Sequence, residues 1–368
     1  MLLSWGANSY GQLGQGRKCE EIRSPKNVQF DSNASILNDL TNIVVGGNQS
    51  FLISNDGTVY GCGLNNVGQL GTVNLEEHSF VRLSILIKYK IIQLSCKWDT
   101  CHAVTNDGYC IGWGSNTFGQ LGIHPKQIKQ TKEALVLCDN VLQVATGLRH
   151  SVVLLKNGKL KTAGDGKRGQ LGRKFPTEEY KYEYVENLEN IAIIACGQNF
   201  TLALTRDKKL FGWGCNKFGQ LGMAPEKCQF SEVPLQIKIV LPLPEEIILD
   251  DIVLKCGWTH CILQVGNKLF AWGRNNYGQL GISDNNLPYS YTMAEVLIGE
   301  NVKSVAVGAE HNLLITEDGV LKTWGWNEHG SCGDGSEISA IYQPSAIKTQ
   351  SAPVIISAGS AHSFCLLK

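Results

Sequence analysis

The chain has 368 residues, 43% of them apolar, and its 33 Lys plus Arg balance its 33 Asp plus Glu. A net charge of zero argues against a nucleic-acid reader, which normally carries a basic balance or a basic tail to neutralise phosphates. Charged residues are only 18% and glycines number 40, which suits short strands and tight turns rather than long helices; no apolar run approaches the roughly 20 residues of a membrane span.

The first element is the phrase Trp5-Gly-Ala-Asn-Ser-Tyr-Gly-Gln-Leu-Gly14, so close to the start that no signal peptide is expected. The phrase returns at Cys62–Gly71, Trp113–Gly122, Ala163–Gly172, Trp213–Gly222, Trp272–Gly281 and Trp324–Gly333. Its leading glycines, from Gly6 to Gly325, lie 57, 51, 50, 50, 59 and 52 residues apart. A period of about 50 marks propeller blades or a solenoid.

A second phrase, a Gly-x-x-His/Asp turn running into an apolar stretch, begins at Gly46, Cys96, Gly147, Gly197, Gly257, Gly308 and Gly359. Between the two phrases, Asp56-Gly57, Asp107-Gly108, Asn157-Gly158 and Asp318-Gly319 mark two-residue hairpins, because such pairs tolerate positive φ. Each unit therefore reads as four short strands. A precedes the Gly-x-x-His turn, B follows it, C ends in Trp-Gly, and D follows Gln-Leu-Gly.

The two ends then decide between a ring and an open stack. The chain opens on a C strand that lacks A and B, and closes at Gly359-Ser-Ala-His-Ser-Phe-Cys-Leu-Leu-Lys368, an A–B turn that lacks C and D. An open stack would leave unpaired edges at both ends. A ring buries both by making one blade from residues 1–45 and 352–368. The expected fold is all-β: one closed seven-bladed β-propeller over residues 1–368.

These paired phrases resemble the repeat of the regulator of chromosome condensation family over essentially the whole chain, and the resemblance implies the same fold. The template residues read as scaffold: glycines turn the backbone where C hands over to D, and the Trp and Leu anchors pack between blades. Gly164-Asp-Gly166-Lys-Arg-Gly169 matches Gly-x-Gly-x-x-Gly, but a dinucleotide site needs a βαβ unit around it. No Walker lysine, metal-spaced His pair or Ser/His/Asp set stands out, so no catalytic residue, metal or cofactor is expected. The thirteen cysteines contain no Cys-x-x-Cys pair and read as reduced, buried thiols of a cytosolic protein.

Function is expected where copies depart from the template. Turns A–B and C–D lie at one end of each meander, so their variable residues share one face of the disc. The expected partner-binding set is Trp98, Asp99, Arg149, Trp258, His260, Arg274, Glu310, His311, Trp326, Glu328 and His329. Tryptophans in turns, together with arginines, match the composition of protein interfaces. For His150, His260, His311 and His362 the favoured reading is a hydrogen bond to the backbone of the neighbouring blade. The longest departures from the period are residues 172–195 and 223–254, and the latter, with Pro225, Pro234, Pro242 and Pro244, reads as a blade-edge loop.

Gly257-Trp-Thr-His260, Glu310-His-Asn-Leu and Trp324-Gly-Trp-Asn-Glu-His-Gly330 resemble the secretion-regulating guanine nucleotide exchange factors of that family. This resemblance implies a cytoplasmic protein that acts on a small GTPase or exocytic partner, with Asp99, His260 and His311 at turn positions comparable to the family's acidic and His residues. No equivalent of the family's β-wedge insertion is visible. Trp98-Asp99, Glu310-His311 and the Trp324 phrase also show a weaker similarity to the fungal alpha-tubulin suppressors. That similarity implies a non-catalytic partner of a small metal-binding diphthamide-synthesis protein and of Elongator-dependent tRNA modification. Both readings give a monomer with a protein partner, no nucleic acid and no membrane insertion; nuclear presence stays open.

Overall fold

The computed structural model describes residues 1–30, 34–174, 180–239, 247–282 and 286–368. Among the described residues, 28 strands form seven four-stranded antiparallel sheets. In chain order, blade 1 spans residues 40–82, blade 2 91–138, blade 3 141–184, blade 4 191–237, blade 5 252–295 and blade 6 302–347. Blade 7 joins the two ends, its strands running in the order Glu21–Asn27, Leu2–Ala7, His362–Leu367 and Pro353–Ala358. Leu2 pairs with Leu366 and Gly6 with His362, so the ring is closed by a full antiparallel ladder.

Two expected boundaries move. The strand Leu40–Val45 is the A strand of blade 1, with Ile43 opposite Leu52, so the closing blade ends at Asn27 rather than at residue 45. The tight turn Gly46–Gln49 ties that strand to its own B strand and so decides its sheet. Parts of residues 223–254 are likewise blade rather than loop. Phe230–Ile237 is the D strand of blade 4, and Ile252–Cys256 is the A strand of blade 5. Pro234 is tolerated because D is an edge strand with no outer partner for a missing N–H. Pro242 and Pro244 lie outside the described residues.

The B strands are buried at every position, as in Gln49–Ser54 and His150–Leu155, because each has a neighbouring sheet on both faces. Between blades, Trp5, Trp113, Trp213, Trp272 and Trp324 are completely buried. Each indole N–H donates to a carbonyl of the preceding blade: Trp113 to Gln69, Trp213 to Gln170, Trp272 to Gln220, Trp324 to Gln279 and Trp5 to Ser331, all at 2.9–3.0 Å. A buried indole donor left without a partner would be costly. Blades 1 and 3 carry Cys62 and Ala163 instead of Trp. There Phe80 of the D strand and Tyr182, just before the D strand, press on Gly14 and Gly122, much as Trp213 presses on Gly172.

The repeated histidines are a second set of staples. His150 Nε2 meets Thr201 Oγ1 at 3.0 Å, His260 meets Asn312 Oδ1 at 2.8 Å, His311 meets Ser363 Oγ at 2.8 Å, and His362 meets Ser50 Oγ at 2.9 Å. Every one of these contacts crosses from one blade to the next, and each partner is a side chain rather than the expected backbone group.

Candidate protein-binding face

The A–B and C–D turns do share one face, and blade 2 departs from the others there. Ser115 N–H donates to the Asp99 carbonyl, as Asp165 does to Arg149, Arg274 to Thr259 and Trp326 to Glu310. Asp99 is therefore the counterpart of Arg149, Thr259 and Glu310, and not of the histidines. The blade 2 turn is Lys97-Trp98-Asp99-Thr100, one residue later than the expected start at Cys96. Trp98 and Trp258 thus hold equivalent places in blades 2 and 5.

Two pressures keep the first position of this turn a glycine. A Cβ on Gly257 would come 2.2 Å from the His260 ring and 2.7 Å from the Ala309 carbonyl. That carbonyl belongs to a belt of amides around the axis: Leu148 donates to Gln198, Gln198 to Trp258, Trp258 to Ala309, Ala309 to Gly359 and Ser360 to Gly46, at 2.7–3.0 Å. The belt skips the junctions on either side of Trp98. Thr100 also stands where five other blades carry a ring. Both pressures are lifted at blade 2, and Lys97 carries a side chain where five of the other six copies keep glycine against a ring.

Lys97 uses this freedom to cross the propeller axis. Its Nζ donates to the Cys256 carbonyl of blade 5 at 3.0 Å, and burial lowers its pKa. Above it the Trp98 and Trp258 rings meet at 5.9 Å, tilted by 54°. Blades 2 and 5 are nearly opposite in a ring of seven, so this pair spans the propeller axis. Trp98 is still 41% exposed, an aromatic platform at the centre of the face.

A cleft lies on either side of the platform. One, of about 420 Å³, runs over blades 5, 6, 7 and 1 between Trp98, Trp258, Tyr277, Trp326, Tyr10 and Glu20. The other, of about 700 Å³, runs over blades 3 to 5 between Arg168, Lys217, Phe218, Phe230, Trp258 and Arg274. Arg274 forms the ridge between them, its guanidinium 5.2 Å from the Phe218 ring and 5.0 Å from the Tyr277 ring.

The expected residues divide into an outer and an inner group. Trp98, Arg149, Trp258, Arg274, Trp326, Glu328 and His329 reach the surface. Arg149 lies 4.3 Å over Phe118, Trp326 donates from Nε1 to Glu328 at 3.2 Å, and His329 packs edge-on against Trp326 at 5.3 Å. His260 and His311 do not reach the surface: both are fully buried inter-blade staples, pushed down to about 4 and about 3 by burial. Glu310 is buried as well. It accepts from Thr259 Oγ1 at 3.0 Å and from Gln279 Nε2, and pairs with Arg274 at 3.4 Å, so it supports Arg274 rather than meeting a partner. Burial raises the Asp99 and Glu310 carboxyls.

Some of the face was hidden by the template itself. Tyr10, Phe118, Phe218 and Tyr277 occupy one repeated position of the C–D turn and read as scaffold, yet each is half-exposed. Arg168 and His329 replace the aromatic at that position in blades 3 and 6, a departure the sequence could have revealed for Arg168.

Comparison with known proteins places these features in context. A family model described as an RCC1-like domain matches residues 1–365. The secretion-regulating guanine nucleotide exchange factor of Bos taurus is 33% identical over 366 residues, 91% of this chain and 76% of that protein. The guanine nucleotide exchange factor SRM1 of Saccharomyces cerevisiae is 28% identical, over 94% of this chain and 82% of its own length. The crystal structure of Prp20p from Saccharomyces cerevisiae, described with its binding to Gsp1p and histones, superposes with a TM-score of 0.86 over 99% of this chain and 90% of that one. At 24% identity that likeness speaks for the fold.

Proposed function

The chain belongs to the family of RCC1-like domains, and from that premise we propose that it is a guanine nucleotide exchange regulator of a small GTPase, linked to secretion, which it engages through the face centred on Trp98 and Trp258. Exchange of this kind needs no covalent chemistry. A factor that binds the nucleotide-free GTPase more tightly than the loaded one speeds release by that difference in affinity. The observation that carries the reading is the exposed Trp98–Trp258 platform between two clefts, on a propeller whose relatives include named exchange factors. Aromatic and arginine side chains at the centre of a face are the usual anchors of protein binding. A cytoplasmic setting suits the thirteen unpaired cysteines.

GDP release from a panel of purified small GTPases, secretory ones included, tests the reading. Substoichiometric acceleration on one of them supports it. Tight binding without acceleration would leave the chain a non-catalytic binding module.

A further inference from the structure

The cleft over blades 3 to 5 has a charge of its own. Arg168, Lys217 and Arg274 sit along its walls beside Phe218, Phe230 and Trp258. Arg168 and Lys217 are exposed, and no carboxylate among the described residues pairs with either. Of the two carboxylates of the cleft, Glu310 is buried under Thr259, Gln279 and Arg274, while Glu226 is exposed and accepts from Tyr289 at 3.0 Å, so the cleft keeps three cations against two carboxylates. Phe218 has two cations against its ring, Lys217 at 5.5 Å and Arg274 at 5.2 Å. Exposed Arg149 and Lys167 continue the positive strip along the tops of blade 3. In a chain of zero net charge, this gathering of cations is local and not a reflection of composition.

We infer that this cleft takes an acidic segment of the partner protein, its carboxylates set against Arg168 and Lys217 and an apolar or aromatic side chain set against Phe218 and Trp258. The inference rests on this face being the protein-binding surface, and is independent of nucleotide exchange. Closing the cleft removes water from the cations, which strengthens each charge pair and selects against neutral or basic segments. A peptide is favoured over a polynucleotide because tracking a phosphate backbone takes a long basic groove, whereas here an apolar wall stands behind few cations.

The test uses the full chain without any GTPase or nucleotide. Fluorescence anisotropy follows three labelled probes: a short peptide of Glu, Asp and Phe, the same peptide with Gln and Asn for its acids, and single-stranded oligo-dT. The acidic peptide is expected to bind about tenfold more tightly than its neutral counterpart, and to weaken with salt. Arg168→Glu/Lys217→Glu should remove that preference and Arg168→Gln/Lys217→Gln reduce it, both with unchanged Tm. Lys156→Glu/Lys159→Glu, at the opposite end of blade 3, should change nothing. Equal binding of the two peptides, an unaffected charge-reversal variant, or oligo-dT binding as tightly as the acidic peptide would overturn the inference. Loss of peptide binding with GDP release intact removes this inference alone, and the reverse outcome removes exchange alone.

Discussion

The Lys97 ammonium reaches the Cys256 carbonyl across the propeller axis, 159 residues away in sequence, so the residue before Trp98 is tied to the strand that leads into Trp258. One residue thus joins the channel, where a charge is costly, to the platform that a partner would meet. Hydrogen bonding to the carbonyl offsets part of the burial cost, so the strut holds Trp98 in place without adding much stability.

Lys97→Met should therefore change unfolding free energy at neutral pH by less than about 1 kcal/mol while weakening partner binding. The folded pKa is depressed, so between that value and about 10.4 the unfolded chain binds more protons, and stability rises with pH. Urea unfolding at successive pH values should show a smaller alkaline gain in Lys97→Met than in wild type.

Acid should unfold the ring through its histidines. His102 and His260 are held at about 4, and His150, His311 and His362 at about 3, each by burial. Their stabilisation is complete above the unfolded value of about 6.5 and is lost as pH falls through that window, at about 1.4 kcal/mol per pH unit for each ring. Blade 1 carries Gln49 at this position, so His311→Gln should fold and lower the proton uptake on acid unfolding by about one.

The glycine and the ring of the A–B turn are a coupled pair. Gly257→Ala should cost more than about 2 kcal/mol, because its Cβ meets both His260 and the Ala309 carbonyl. Adding His260→Thr, which copies the Thr100 of blade 2, should return part of that loss. Additive costs in a double-mutant cycle would show that the ring is not what demands the glycine.

Truncating the platform separates binding from folding. Trp98→Ala, Trp258→Ala and Trp326→Ala should each weaken partner binding by over about 1 kcal/mol with Tm nearly unchanged. Trp213→Ala, which empties a buried staple, should cost about 3–5 kcal/mol of stability. A platform variant that loses stability on the Trp213 scale would belong to the scaffold instead.

Deleting residues 352–368 should unfold the ring, since it removes two of the four strands of blade 7 and exposes Leu2 and Trp5. A soluble truncated chain with native circular dichroism and an unchanged Tm would contradict closure through that blade.

Much of this protein was legible in its residues. The period near fifty, the hairpin pairs and the complementary half-blades at the two ends determine a closed ring, because strand pairing and turn chemistry are local and each copy repeats the signal. The variable turn residues share one face, and Trp98, Arg149, Trp258, Arg274 and Trp326 reach its surface. Only the tertiary structure decided which of the others stand behind it. His260, His311 and Glu310 share those turns, yet neighbouring blades cover them, and burial depends on residues some fifty positions away. The same holds for Lys97 and Cys256: no spacing in the chain foretells a contact across an axis, because the axis exists only once seven blades have closed around it.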